Sequence, residues 1–190
     1  MNPAKILISV MLLSLTACSG VKVNVDYDEN YDFSRLKTWS WKYPEQPQTG
    51  DKLVDNSLRD QRIRASIKTA LKEKGLTQIS EHPDFLVRYE LKVETKEKTS
   101  NVSIFVGTGT WGSHGGVSVG AGAPIASSST PYNVGTLYID FLDPKSGDLL
   151  WRGTGEATLD ESGTPEARQT ATLEAVRKIM KDYPPKKSAE

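Results

Sequence analysis

The stretch FLVRYELKVE, residues 85–94, decides the fold of this chain. Its apolar residues recur at every second position from Phe85 to Val93, and charged residues occupy most positions between them. Because successive side chains of a β-strand point to opposite faces, this period of two predicts a strand with one buried and one solvated face. A sheet of such strands needs a second layer to cover its apolar face.

Two hairpins are predicted on either side of a segment rich in Gly and Ser. Residues 101–106 resume the alternation and predict a hairpin with residues 85–94. Residues 135–143 and 149–159 predict a second hairpin, because the turn between them contains a proline, which fixes φ, and a glycine, which accepts positive φ. The Gly/Ser-rich residues 107–131 predict a long loop between the hairpins.

Two shorter strands are predicted closer to the N-terminus, at residues 21–27 and 38–41. The second of them carries Trp39 and Trp41 on one face. Such a pair can bind a sugar or lie at a membrane interface, or it can be part of the core. The core is the more common role and is the interpretation that we favour.

Two amphipathic helices complete the chain. The first begins after Asp55 or Asn56, has apolar residues at helical spacing, and ends at Gly75, a residue suited to the left-handed position after a helix. The second begins with Thr164 as N-cap, followed by a proline, and ends before Pro184. The basic residues of the first helix predict a cationic face that is either solvated or in contact with anionic lipid.

The predicted order is therefore β-β-α-β-β-(Gly-rich loop)-β-β-α. This order predicts a two-layer α+β fold with a mainly antiparallel sheet and both helices packed on one of its faces. Residues 21–185 are long enough to form a single domain with its own core.

The N-terminal segment has the features of an export signal. Lys5 is followed by an apolar run over residues 6–15 that is shorter than the roughly 20 residues of a membrane-spanning helix. The run ends in Leu15-Thr16-Ala17-Cys18, which looks like the lipobox of a bacterial lipoprotein. Leu15, Thr16 and Ala17 are then the signal-peptidase recognition residues, and Cys18 is the lipidation site.

A single cysteine cannot form an intramolecular disulfide, and lipidation gives this one a role. The predicted organisation is a signal peptide at 1–17, a lipidated tether at 18–20, the domain at 21–185 and a polar tail at 186–190. Ser19 stands where lipoproteins of this class carry an aspartate when they are retained in the inner membrane. We therefore expect an outer-membrane protein that faces the periplasm and is attached to the bilayer through Cys18.

No motif in the sequence predicts an enzyme, a metal site or a cofactor. Residues 107–112, GTGTWG, fit a dinucleotide-binding pattern, but no helix follows to receive the phosphates. His82 and His114 lie in separate loops without metal-ligand spacing, and no nucleophile motif accompanies them. The acid pairs Asp140 with Asp143 and Asp26 with Asp28 are expected to be solvated. Lys and Arg number 24, as do Asp and Glu, so no basic excess indicates nucleic acid either.

Several segments together resemble one known family. They are VDYD at 25–28, YDFSRLKTWSW at 31–41, PDFLV at 83–87, GTLYID at 135–140 with DP at 143–144, LWRG at 150–153 and YPPK at 183–186. They resemble the domain-of-unknown-function 4136 family of bacterial lipoproteins. The resemblance implies a lipobox, a cell-envelope location and no assigned activity or catalytic residues.

The expected function is that of a non-enzymatic envelope lipoprotein that binds an unidentified envelope protein or stabilises an assembly. The alternative is a carrier domain for a small ligand or a lipid, which requires an apolar pocket of sufficient size.

Overall fold

The computed structural model describes residues 20–104, 123–160 and 162–185. Its elements are β1 (Lys22–Tyr27), a 3₁₀ turn (Phe33–Arg35), β2 (Thr38–Trp41), α1 (Ser57–Glu73), β3 (Thr77–Gln78), β4 (Phe85–Ile104), β5 (Ala123–Leu142), β6 (Leu149–Thr158) and α2 (Pro165–Ile179).

The strands form one sheet in the order β1-β6-β5-β4-β2-β3. β2 runs parallel to β4 and to β3, and the other neighbouring pairs are antiparallel. The buried face of the sheet packs against α1 and α2. The predicted α+β fold with a mainly antiparallel sheet is therefore confirmed.

The predicted strand and loop boundaries around the first hairpin are wrong. Residues 101–104 do not start a second strand, because they are the end of β4. Residues 123–131, predicted as loop, are the start of β5 and pair with β4 through the backbone. Small polar side chains carry no apolar period, so the pattern gave no sign of this ladder. Residues 107–122, the rest of the predicted loop, and residues 105–106, predicted as strand, lie outside the described residues.

The core is centred on aromatic residues from four segments. The Phe141 ring lies 4.6 Å from that of Phe85 and 4.8 Å from that of Trp151, and Tyr183 packs edge-on against Phe141 and Trp151. Trp39 is only 1% exposed, so the core interpretation is correct for it. Its neighbour Trp41 is half-buried and packs edge-on against it.

Local signals define the helix ends as predicted. The Asn56 side chain accepts a hydrogen bond from the Arg59 amide, and the Thr164 hydroxyl accepts one from the Ala167 amide. Gly75 follows α1 at φ +78°, in the left-handed region. The caps fix the start of each helix, and the helices run side by side in the same direction. Gln169 of α2 donates a hydrogen bond to Ser66 of α1. About two turns nearer the C-terminal ends of both helices, Arg177 pairs with Glu73.

β4 and β5 extend well beyond their other neighbours. β2 pairs with β4 only as far as Val87, and β6 pairs with β5 only from Val134. Residues 95–104 and 123–133 therefore form a two-stranded ribbon, here named the β4–β5 arm, about 33 Å long at the usual rise per residue. The arm leaves the sheet at the end where β1 begins, because Lys22 pairs with Glu156 and Val134 with Thr158.

Candidate functional site

A groove opens between the N-terminal half of α1, the inner side of α2 and the end of the sheet from which the β4–β5 arm projects. It has a volume of about 380 Å³ and is here named the helix–sheet groove. Both helices and the three longest strands contribute to its walls. Most of its lining is apolar, and the larger side chains are Val21, Ile63, Leu91, Leu137, Leu159 and Ile179.

Small residues on both layers leave this space unfilled. Gly155 and Ala157 of β6 face Ala171 and Ala175 of α2 across the groove. A Cβ atom at Gly155 would lie only 2.6 Å from Ile179 Cδ1, so a larger residue there would clash with the Ile179 side chain.

The rim of the groove is polar and contains three arginines. Arg59 and Arg62 come from α1 and Arg168 from α2, and each is partly exposed. Of these, Arg62 makes no ion pair within the part of the chain that the structure describes. Asp160 lies on the same rim, where the Ser162 hydroxyl and, to a smaller extent, Arg168 lower the pKa of its carboxyl group. An apolar interior with a cationic rim suits a ligand with an apolar chain and an anionic head.

The N-terminal end of the described chain borders the same groove. Gly20 and Val21 line it, and the Val21 side chain lies over Gly155, since a Cβ there would be 3.3 Å from Val21 Cγ1. Cys18, the predicted lipidation site, precedes Gly20 by two residues.

A second cavity, of about 400 Å³, lies on the other side of Ile63 and Leu91. Its polar groups hold α1 against the sheet. The Tyr89 hydroxyl donates to Asp60 at 2.5 Å, and Arg64 donates to the same carboxylate at 2.9 Å. Burial, together with the Asp60 hydrogen bond, raises the pKa of Tyr89 and keeps its hydroxyl protonated. The polar groups around this cavity therefore bond to one another, and their role is structural.

The predicted cationic face of α1 is divided by such internal bonds. The Arg64 guanidinium turns inward over the Trp41 ring at 4.7 Å, and the Lys74 ammonium donates to the Lys181 carbonyl. Arg59 and Arg62 lie on the rim of the groove. The cations that remain exposed, Lys68 and Lys72, do not form a continuous surface for lipid.

The open face of the sheet carries a buried carboxylate that was predicted to be solvated. Asp140 is 2% exposed and accepts hydrogen bonds from Arg88 at 2.8 Å and from Arg152 at 2.7 and 2.8 Å. Register places the three side chains side by side on β4, β5 and β6. Asp143 is in the following turn, where it accepts from backbone amides of that turn. The predicted acid pair therefore does not form a site.

Most of the other residues singled out from the sequence lie outside the described residues. They are Cys18, the recognition residues Leu15, Thr16 and Ala17, His114, and the glycine motif at 107–112. His82 is exposed in a loop with φ 52°. Within residues 20–104, 123–160 and 162–185, no three His, Cys, Asp or Glu side chains are close enough to hold a metal ion. No helix in those ranges is long and apolar enough to cross a membrane.

The sequence profile of the DUF4136 family, described as a domain of unknown function, matches residues 23–185. The chain belongs to the DUF4136 family. The match covers every strand and helix of the sheet and its helical layer, and it begins after Cys18. No curated protein sequence matches the chain.

Solved structures with a similar fold are distant from this DUF4136 domain. A PDZ domain protein from Parabacteroides distasonis is 17% identical at a TM-score of 0.48, over 88% of this chain and 36% of that one. The PelC dodecamer subunit from Paraburkholderia phytofirmans is 10% identical at a TM-score of 0.43, over 84% of this chain and 95% of that one. This chain thus spans about a third of the first protein and nearly all of the second.

Proposed function

We propose that this DUF4136 protein is a cell-envelope lipoprotein that binds the apolar chain of a lipid or similar amphiphile in the helix–sheet groove. The observation that carries the proposal is an apolar groove of about 380 Å³ with arginines on its rim. The protein acts by binding rather than by catalysis. Its location is the outer membrane, on the periplasmic side, with attachment through acyl chains on Cys18.

The size of the groove supports a chain-like ligand. Binding sites for small molecules range from about 300 to 1,000 Å³, and an apolar cavity of about 150 Å³ holds one benzene ring. By that measure the groove accommodates an apolar group of roughly 15 carbon atoms, which is about one acyl chain. On the rim, Arg62 is placed to contact an anionic head group.

Ligand binding is tested with a dansyl-labelled fatty acid and the mature chain carrying Cys18→Ser, which removes the acylation site. Ala175 lines the groove, and Ala175→Leu fills part of it. We expect this variant to lose binding by about tenfold or more, equal to about 1.4 kcal/mol. Ala167→Leu is the matched control, because Ala167 lies on the same helix, is exposed and does not border the groove.

Equal affinity in the two leucine variants would contradict the proposal. Arg62→Gln adds a test of the rim: it should weaken binding of the fatty acid while leaving binding of the corresponding uncharged alcohol unchanged.

A second candidate function, binding of an envelope protein, is supported by the β4–β5 arm. A two-stranded ribbon leaves an unpaired edge on each strand, and such edges accept strands from other chains. A photo-crosslinking amino acid in place of Thr95, at the base of the arm, should capture one specific protein in intact cells. The same label in place of the exposed Lys52, in the loop before α1, is the control. Capture of the same proteins by both labels would count against this function.

A further inference from the structure

We propose that the helix–sheet groove holds one of the acyl chains on Cys18 of the same molecule until a lipid ligand displaces it. The inference rests on the proposed function, because it assigns a resident occupant to the same groove. It explains why the N-terminal end of the described chain forms part of the groove wall.

The reach of the tether supports this occupant. Gly20 and Val21 both line the groove, and the Val21 side chain contacts its floor near Gly155. A Cβ atom at Gly20 would meet nothing within 4 Å, so the space beside this residue is open. Cys18 precedes Gly20 by two residues, a reach of at most about 7 Å, so an acyl chain attached there can reach the mouth of the groove.

The capacity of the groove also fits this occupant. Its volume of about 380 Å³ suits one acyl chain and not several. Lipoproteins with this type of lipobox carry two or three chains. One chain can lie in the groove while the remaining chain or chains stay in the bilayer, although a single chain alone anchors a protein only marginally.

Exchange with a ligand is then a competition between similar apolar chains. Moving the attached chain from groove to bilayer exchanges one apolar environment for another, so the ligand displaces it at little cost. Arg62 favours the ligand in this exchange. An anionic ligand brings a negative charge to the rim, whereas the esterified glyceryl group of the anchor brings none. Ligand binding thereby returns a chain to the bilayer and strengthens attachment.

The experiment places a diazirine amino acid at position 175, inside the groove, in the full-length lipidated protein in native membranes. After illumination and proteolysis, mass spectrometry should find the α2 peptide joined to the acyl chain of the Cys18 peptide. The same label at the exposed position 167 is the matched control and should not give this product. Added dansyl fatty acid should reduce the intramolecular product by at least about half, and Arg62→Gln should make that displacement less effective.

Other products distinguish a failure of this inference from a failure of the proposed function. Adducts at position 175 with bilayer phospholipid, without the Cys18 product, would overturn the inference and leave the groove as a lipid site. Absence of any lipid adduct at position 175 in a folded protein would overturn both. The Cys18→Ser chain provides the second measurement: it should bind the dansyl fatty acid more tightly than the lipidated protein does under the same detergent conditions, and equal affinity would also contradict the inference.

Discussion

Asp140 joins three strands on the face of the sheet that the helices leave open. It is almost fully buried, whereas the Arg88 and Arg152 side chains that bond to it are about one third exposed. Its carboxylate is bidentate toward Arg152 and raises the pKa of that guanidinium. The charge of Asp140 is thus compensated twice, which is the condition for a buried charge to be tolerated.

Asp140→Asn should destabilise the domain by about 2–3 kcal/mol, since it leaves two arginines without their shared anion. Partial exposure of both arginines keeps the loss below that of a fully buried pair. Urea denaturation at neutral pH measures this loss in the free energy of unfolding. Glu94→Gln, on the same face of β4 but exposed, is the control and should change stability little. A loss of equal size in the control would show that the effect is not specific to Asp140.

Asp84 ties β2 to the start of β4. Its Oδ2 atom accepts hydrogen bonds from the amides of Lys37 and Thr38 and from the Thr38 hydroxyl. These bonds lower the pKa of the Asp84 carboxyl in the folded state, the Lys37 amide contributing most. A lowered folded pKa means that the stabilisation is present above the unfolded pKa, near 4, and is lost as pH falls through the folded pKa.

Asp84→Asn should therefore reduce stability at pH 7 and make stability depend less on pH between about 5 and 3. Urea midpoints at several pH values in that range give the slope for each protein. The exposed Glu81, for which Glu81→Gln is the control, lies close by in sequence and makes no bond to β2 among the residues described. An unchanged slope in Asp84→Asn would mean that other carboxylates, such as Asp143 and Asp55, account for the acid sensitivity.

At the scale of the element, the contact between α2 and β6 depends on glycine. A Cβ atom at Gly155 would lie 2.6 Å from Ile179 Cδ1 and 2.7 Å from its Cγ1. Both residues are buried, and the backbone of β6 is fixed by β1 and β5 on its two sides. Close approach of helix and sheet at this point sets the depth of the helix–sheet groove beside it.

Gly155→Ala should cost about 1–3 kcal/mol through overpacking, and Ile179→Ala about 2–5 kcal/mol through the cavity that it leaves. The double variant should cost less than the sum, by about 1 kcal/mol or more, because the truncated residue 179 makes room for the new methyl group. Chemical denaturation of the four proteins gives the coupling free energy. Strict additivity would refute the clash as the reason for glycine at position 155.

Helices and strands could be predicted from the sequence where the signal lies in a few neighbouring residues. Asn56, Gly75 and Thr164 mark helix ends by their own chemistry, and alternation in residues 85–93 marks a strand without knowledge of its partners. The β4–β5 arm escaped prediction because its ladder uses backbone groups of residues such as Thr99 and Ser129, whose side chains carry no apolar period. The three-residue cluster at Asp140 and the small residues facing across the groove depend on register, which a single sequence does not reveal.

For the whole molecule, the decisive prediction concerns attachment. Cys18→Ser should move the protein from the membrane fraction to the soluble fraction of the envelope, because the proposed anchor is the acyl chains on Cys18 and not the folded domain. Sedimentation after an alkaline wash measures this, with Ser19→Ala as a control that keeps the acylation site. Retention of Cys18→Ser in the washed membranes would contradict the lipoprotein assignment.

The β4–β5 arm restricts how such an anchored molecule can be oriented. Arm and N-terminus leave the sheet at the same end, and the arm is about 33 Å long. From Cys18 to Lys22 the chain spans four residues, or at most about 14 Å, which is less than half of that length. The domain therefore cannot stand upright with the tip of the arm resting on the bilayer, since its tether would not reach. A molecule anchored through Cys18, as proposed, would therefore hold the arm at an angle to the bilayer normal.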